Sequence, residues 1–347
     1  MKKIAIIGGA RPNFMKIAPL ARELKKNSAN YFVVNTGQHF DSQMSTDFIK
    51  EFGLKIDDEL NPPNTGAIKQ MAHIIIELEK IFLRKKPDIA VVVGDVNSTL
   101  AASLVANKLR IKLAHVEAGL RSFNRKMPEE FNRKITDQLS DYLFTSDLKS
   151  ADNLKNEGIK DNVFFTGNIM IDNLVYFLPK IKTTKEEFYF CTIHRAENIG
   201  DKKIFGGILN ALSEISKDAK IYFPLHPHTK KMAIKFGLMK KIKEIFCLLP
   251  PINYQQSLYY QKNAKLVLTD SGGIQEESSF LGTPCLTLRT ETERPITVEK
   301  GTNLVVGTKP NKIISIYKKN NFKKKKTKIA KWDGQTAKRI VKILLNS

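Results

Sequence analysis

LVLTDSGGIQEE, residues 266–277, runs from an apolar strand through a Ser-Gly-Gly turn into a helix whose first turn is expected to carry two carboxylates. A helix start leaves N–H groups without intrahelical partners and presents the positive end of the helix dipole, which together suit a nucleotide diphosphate. Glu276 and Glu277 are then placed to accept ribose hydroxyls. The stretch predicts a strand-turn-helix element that holds a nucleotide-linked ligand.

Outward from this stretch, apolar runs alternate with amphipathic ones along the whole chain, the signature of parallel sheets covered by helices on both faces. Strands are expected at 188–192, 220–224, 245–248, 265–269 and 284–288. An earlier set is expected at 3–7, 31–35, 88–93, 112–116, 142–145 and 163–166, with helices at 14–26, 67–85 and 98–109. Residues 178–187, with their Pro, Lys and Thr, read as a hinge. The fold class is therefore α/β, with two doubly wound, Rossmann-like domains facing a central crevice. Residues 1–178 form the first domain and 188–325 the second, and a final helix within 334–347 packs on one of them.

A chain of 347 residues can bury two cores with a cleft between them, and 42% hydrophobic content is that of a globular protein. No apolar run reaches the roughly 18 residues that span a bilayer. The opening MKKIAIIGG has too short an apolar core for a signal peptide, and Arg11-Pro12 follow it without a small-residue cleavage site, so it reads as a buried first strand of a cytoplasmic protein. Cys191, Cys247 and Cys285 lie in apolar stretches without CxxC pairing, which argues for reduced core thiols. The net charge of +22 reads as a lysine-rich surface that attracts anionic ligands mildly; no nucleic-acid module is present.

Ligands of open parallel sheets sit outside the carboxyl ends of the strands, so the polar residues there are the site candidates. Strand 88–93 ends in Gly94-Asp95, strand 112–116 leads into Glu117-Ala118-Gly119, and strand 188–192 leads into His194-Arg195. Asp95 alone is explained as a cap for a helix opening at Asn97 or Ser98. Glu117 follows a buried strand, where a carboxylate is costly without a partner or a task, and Arg121 is a candidate partner. Glu129 and Glu130 fall in a first helical turn after Pro128, and Glu129 and Arg133 form an i, i+4 pair. His194 suits proton transfer near neutral pH.

Gly8-Gly9-Ala10-Arg11-Pro12 lacks GxGxxG spacing, which argues against a nicotinamide or flavin cofactor. Arg11 and Lys16 there suit a diphosphate or a sugar, or are simply surface charge at a helix start. His226-Pro227-His228 supplies no complete ligand set for a metal.

With these sites laid out, the chain resembles the non-hydrolysing UDP-N-acetylglucosamine 2-epimerases from Ile4 to the final helix. The matching segments are GGARPNFMKIAPL, TGQHFDSQMS, VVVGDVNSTLAAS, HVEAGLRS, MPEEFNRKITDQLSDYLF, FTGNIMIDNL, TIHRAENIG and LTDSGGIQEESSFLGTPCLTLRTETERP, in family order. The resemblance implies the two-domain glycosyltransferase B fold, with the UDP-sugar in the crevice. It implies anti elimination of UDP across C1 and C2, a glycal intermediate and re-addition of UDP, with no cofactor and no essential metal. It further implies Asp95, Glu117, Glu129 and His194 as the catalytic group. Arg11, Lys16, Ser271, Gly272, Gly273, Glu277 and Arg294 would bind the substrate, supported by Arg133 and His226. Relatives are commonly dimers through the first half, and their products enter cell-surface polysaccharides.

The chain departs from the common bacterial pattern at Ala196, where HRRE is usual, and at Phe40, where a basic residue follows QH. Both positions bear on activation of such enzymes by their own substrate. The neighbouring alternative is a 2-epimerase of a UDP-diacetamido-uronic acid. A hydrolysing relative would carry GTRADY after the first strand. From another class, a glycosyltransferase of the same fold would share the UDP-binding end but not the HVEAGLR segment, and a non-catalytic UDP-sugar sensor would not need all four acid and base candidates.

Overall fold

The structure, a computed structural model, describes residues 2–38, 49–63, 66–125 and 127–347. The chain forms two compact units, Met1–Val175 with Ala330–Ser347, and Tyr176–Ile329.

In unit 1 the strands β1 (Lys3–Gly8), β2 (Asn30–Asn35), β3 (Asp58–Glu59), β4 (Ile89–Val93), β5 (Lys112–Val116), β6 (Tyr142–Thr145) and β7 (Val163–Phe165) form one parallel sheet. Its order is β3-β2-β1-β4-β5-β6-β7. In unit 2 the strands β8 (Tyr189–Thr192), β9 (Ile221–Pro224), β10 (Phe246–Leu249), β11 (Leu266–Thr269), β12 (Cys285–Thr287) and β13 (Asn303–Val305) form a second one. Its order is β10-β9-β8-β11-β12-β13. Both sheets are doubly wound, and the winding reverses once in each, between β1 and β4 and between β8 and β11. Chain connections diverge at such a point and leave room for a ligand outside the carboxyl ends.

The residue pattern accounts for this layering. All five residues of β4, IAVVV, are buried, as a strand with helices on both faces requires. On β11, Leu266 and Leu268 join the cluster built with Phe205 and Leu212, while Val267 between them packs on the other face with Phe190 and Ala264. This is the two-residue alternation of a strand buried on both sides.

The strands expected from the sequence are present, with ends shifted by a residue or two. Strands β3 and β13 were not expected. Each is only two or three residues long and lies at a sheet edge, so pairing with β2 and with β12 makes it a strand. The residues expected as a hinge begin with a short 3-10 turn, Leu178–Lys180, and run on to β8.

The chain returns to unit 1 for its last helix, Thr336–Asn346, which buries Ala337, Ile340, Val341 and Leu344 and packs on α1 (Arg11–Lys26). Asp172 fixes its start: Oδ1 accepts the N–H of Thr336 at 3.1 Å, and Oδ2 that of Ala337 at 2.7 Å. Two N–H groups that the helix cannot satisfy itself thus find acceptors. We expect Asp172→Ala to destabilise unit 1 by about 1 to 2 kcal/mol, the usual scale for a lost cap. An unchanged midpoint in urea melts followed by hydrogen exchange of the last helix would show that packing alone docks it.

Candidate active site

In unit 1 the site candidates gather at the carboxyl ends of β1, β4 and β5. The turn after β1 needs glycine: a Cβ on Gly9 would lie 1.8 Å from Thr36 Oγ1 and 2.4 Å from Ser98 Oγ. Asn13 organises this turn. Its Oδ1 accepts the N–H groups of Gly9 (3.3 Å) and Ala10 (3.1 Å), and its Nδ2 donates to the carbonyl of Val93 (3.1 Å), which ties β1 to the end of β4. One helical turn on from Asn13, Lys16 is buried and its Nζ meets the Glu117 carboxylate. Arg11 opens α1, but its side chain lies outside the described residues.

Glu117 is itself buried and has a left-handed backbone, φ +71°. That conformation costs a non-glycine residue about 1 to 3 kcal/mol, so the surroundings must hold it. Its N–H and that of Ala118 both donate to the Phe144 carbonyl at 3.1 Å. Gly94 leaves room for the ion pair, because a Cβ there would come within 3.0 Å of Lys16 Nζ.

Beneath these residues His115 is fully buried, with Nδ1 2.6 Å from Asp137 Oδ1 and Nε2 2.8 Å from the Gly94 carbonyl. Arg121, expected as a partner of Glu117, instead pairs with Asp137 (2.8 Å) and Glu157. Glu117 is compensated by Lys16, which the fold brings in from α1, about a hundred residues away in sequence.

Asp95 does not occupy the N-cap position. The helix Asn97–Lys108 has Val96 at its N-cap, without a side-chain cap bond, and Asp95 Oδ2 instead accepts from Arg133 Nη2 at 2.5 Å. Asn132 Nδ2 donates to the Asp95 carbonyl at 2.8 Å, so the helix Pro128–Leu139 holds Asp95 at two points. The expected Glu129–Arg133 pair is also replaced. Arg133 Nη1 donates to Glu130 Oε2 at 2.6 Å, and Glu130 further accepts the N–H and hydroxyl of Ser122, each at 2.8 Å. Glu130 is buried and Glu129 exposed, so the fold engages the second carboxylate of the pair and leaves the first to solvent. Phe40 lies outside the described residues.

In unit 2 the candidates gather at the ends of β8 and β11. Ser271 is the N-cap of the helix Gly272–Leu281 and makes no side-chain cap bond there. A Cβ on Gly272 would meet nothing within 4 Å, so internal packing does not demand glycine at this position. Glu276 and Glu277 lie in the second turn, not the first, and both are buried. Glu276 Oε1 pairs with Arg294 Nε at 2.8 Å. Glu277 Oε2 accepts from Gln261 Nε2 at 2.7 Å. Burial outweighs the donors Gln261 and Tyr254 and pushes the Glu277 carboxyl up to about 7.

His194 follows β8 with its side chain partly exposed, its Nδ1 3.3 Å from Asp270 Oδ1 and its ring centroid 6.0 Å from that of His226. His226 caps the helix Pro227–Lys235, its Nδ1 accepting the N–H of His228. Next to His194, Arg195 stands 3.7 Å from Glu293, which Arg289 holds by two hydrogen bonds of 2.7 and 2.9 Å. Burial acts to raise Glu293, but the Arg289 hydrogen bonds and the charges of Arg195 and Arg289 bring it down to about 2.

Unit 1 therefore brings Lys16, Glu117, Asp95 and Arg133 into one linked patch, and unit 2 brings His194, His226 and the Ser271 turn to adjoining strand ends. Sequence reasoning passed over Asn13, Gln261 and Asp270, and read Glu130 only as an acid of a first helical turn. Asp270 follows a buried strand just as Glu117 does, so the same argument about buried carboxylates would have singled it out.

Two doubly wound parallel-sheet units with polar clusters at their switch points define the glycosyltransferase B class of α/β proteins. Residues 22–345 match the family described as UDP-N-acetylglucosamine 2-epimerase. Over 360 aligned residues the chain is 40% identical to a UDP-N-acetylglucosamine 2-epimerase from Methanocaldococcus jannaschii, covering 99% of this chain and 98% of that one. The crystal structure of the Methanocaldococcus jannaschii UDP-GlcNAc 2-epimerase in complex with UDP-GlcNAc and UDP has a TM-score of 0.89 at 39% identity. The match covers 99% of this chain and 100% of that one. The UDP-2,3-diacetamido-2,3-dideoxy-D-glucuronate 2-epimerase of Pseudomonas aeruginosa is 38% identical over 323 residues, 90% of each chain. The chain belongs to the UDP-N-acetylglucosamine 2-epimerase family of enzymes.

Burial makes Glu277 a pH-dependent element of stability. Its folded value of about 7 lies above the ordinary 4.5, so its contribution is fully present below 4.5 and is lost as pH rises through 7. Glu277→Gln should match wild type near pH 4.5 and become more stable toward pH 8, by up to roughly 3 kcal/mol. A difference in melting temperature that stays constant from pH 5 to 8 would count against a protonated, buried Glu277.

Proposed function

We propose that the protein inverts C2 of a UDP-N-acetylhexosamine, converting UDP-GlcNAc to UDP-ManNAc without releasing free sugar. The single observation that supports it most directly is Glu117, a buried carboxylate in a left-handed conformation, compensated by Lys16 and set close to Gly94-Asp95. A strained, buried acid next to a second acid is an arrangement for proton transfer more than for stability.

Unit 2 binds the nucleotide in this reading. The N–H groups at Ser271, Gly272 and Gly273 take the diphosphate, and the bare Cα of Gly272 lets it approach closely. Glu277 takes the ribose hydroxyls, whose donated hydrogen bonds favour its charged form and offset the cost of burial. Arg294, Arg11 and Lys16 supply positive charge, and His226 and Arg133 keep His194 and Asp95 in place.

The chemistry follows from the sugar. The proton on C2 has no adjacent carbonyl and becomes acidic only as the bond from C1 to the phosphate oxygen breaks. One carboxylate among Asp95, Glu117 and Glu129 takes that proton while the bonding electrons leave with UDP, whose charge His194 stabilises. The product pair is a 2-acetamidoglucal and UDP. Protonation of C2 on the opposite face and return of UDP to C1 give the epimer, and every atom is conserved.

The Pseudomonas aeruginosa relative, nearly as similar as the Methanocaldococcus jannaschii one, supports a second reading in which the sugar is a diacetamido-uronic acid. Incubating the enzyme in deuterated water with each UDP-sugar separates the two by proton NMR. The first reading expects deuterium at C2 of both UDP-GlcNAc and UDP-ManNAc. Turnover of the uronic sugar alone would favour the second, and free N-acetylmannosamine would indicate hydrolysis. Asp95→Asn and Glu117→Gln should each lower turnover about 10²- to 10⁴-fold; wild-type rates would remove them from the mechanism.

We further infer a cytoplasmic homodimer that supplies cell-surface polysaccharide synthesis. Among the described residues no helix is long and apolar enough to cross a membrane. The helix Ala67–Lys85 exposes Ile68, Ile76 and Leu83 by 81%, 52% and 57%, on one stripe that a second copy would cover. Light scattering should give twice the chain mass for wild type and one chain mass for Ile76→Lys with Leu83→Lys; a monomeric wild type would refute the dimer.

A further inference from the structure

We propose that Asp270 is the positioning residue for His194, holding the imidazole in the tautomer protonated on Nδ1 and leaving Nε2 for an anionic ligand group. The inference rests on the reading in which His194 meets the leaving diphosphate, and it names how that histidine is prepared for the task.

Asp270 is fully buried at the end of β11. Three donors converge on its Oδ2: the N–H of His194 at 3.0 Å, the N–H of Arg195 at 3.0 Å and Asn198 Nδ2 at 3.1 Å. Its Oδ1 accepts a longer bond from the His194 N–H, 3.2 Å, and lies 3.3 Å from His194 Nδ1. A carboxylate only accepts hydrogen bonds, so a ring nitrogen 3.3 Å from Oδ1 is stabilised when it is the one that carries the proton. The neutral ring then has its lone pair on Nε2, and a protonated ring gains an N–H there while Asp270 offsets its charge.

A carboxylate that merely capped the turn after β8 would need its contacts to backbone N–H groups and nothing more. Here it also meets a ring nitrogen, and the anchoring extends on both sides. Asn198 Nδ2 also donates to the Leu288 carbonyl at 2.9 Å, and Thr229 Oγ1 donates to the Ile193 carbonyl at 2.7 Å. The Asp270 N–H donates to the Thr192 carbonyl at 3.3 Å, and the hydroxyls of Thr192 and Thr269 lie 2.7 Å apart. Asp270 is followed directly by Ser271. One side chain thus links the histidine to the turn proposed to bind phosphate, so the two stay in register when ligand charge shifts.

The test uses Asp270→Asn, which keeps an oxygen for the backbone donors but offers an amide to the ring. Long-range proton–nitrogen NMR at pH 8, with the His194 ring identified by its loss in His194→Gln, should show Nδ1–H in wild type and Nε2–H in Asp270→Asn. The rate should fall about 10²- to 10⁴-fold, the scale of a misdirected or missing proton-transfer group, with a much smaller change in KM. Asp270→Asn combined with His194→Gln should be no slower than His194→Gln alone, because the aspartate acts only through the histidine. Nε2–H in wild type overturns the proposal, whether or not the variant folds. So does a variant that keeps the wild-type tautomer or rate, or losses that multiply in the double variant. The tautomer is read without substrate, so Nδ1–H in a protein that turns over neither UDP-sugar would refute the substrate reading and leave the role of Asp270 standing.

Discussion

The buried ion pair of Lys16 with Glu117 is the interaction on which unit 1's polar patch depends. Neither charge is tolerable alone at that depth, since leaving one partner of a buried pair uncompensated costs about 3 to 5 kcal/mol. The pair joins the first helix to the fifth strand, and its geometry sets requirements on the neighbours. Gly94 must lack a side chain so that Lys16 can reach across, Asn13 must hold the turn that aims α1, and the Phe144 carbonyl must hold the left-handed backbone of Glu117. A hydrophobic pair of similar volume would serve stability as well or better. The cost is understandable if the carboxylate has chemical work to do.

Unit 2 meets the same constraint in a different way. Asp270, also buried at a strand end, is balanced by N–H donors and not by a neighbouring cation. Glu293 is balanced by a guanidinium and drops to about 2, while Glu277 has only neutral donors and rises to about 7. Three carboxylates of unit 2, Asp270 and Glu277 buried and Glu293 partly so, thus have three different electrostatic settings. In the proposed reading the setting of Glu277 is the one a ligand changes, because ribose hydroxyls would add donors to those of Gln261 and Tyr254.

Much of this was legible in the sequence. Parallel strands buried on both faces announce themselves as short apolar runs, and the glycine turns after β1, β4 and β11 mark where those runs end. Edge strands β3 and β13 were not legible, because pairing and not composition makes them strands. Side-chain partners were the other gap. Arg121 and Glu129 were placed by closeness in sequence, whereas the observed partners of Glu117 and Arg133 come from the first helix, from the turn after β4 and from the adjacent acid. An i, i+4 pair is worth only about 0.2 to 0.5 kcal/mol, so a tertiary contact readily replaces it. Asp270 was overlooked because its neighbours Ser271, Gly272 and Gly273 carry the more familiar signal.

The positive charge of the chain is unevenly divided in a way that suits this arrangement. Unit 2 has 28 Lys and Arg against 13 Asp and Glu, unit 1 has 29 against 22, and no acid occurs between Glu299 and Asp333. A field of that sign around the proposed nucleotide-binding unit favours the approach of an anionic ligand, and salt screens it beyond roughly 10 Å. Such a field draws in every phosphate alike, so it cannot select among them. Within unit 2, selection in the proposed reading rests on short-range contacts at the Ser271 turn and on the buried carboxylate of Glu277. Surface charge and buried charge therefore divide the work between arrival and recognition.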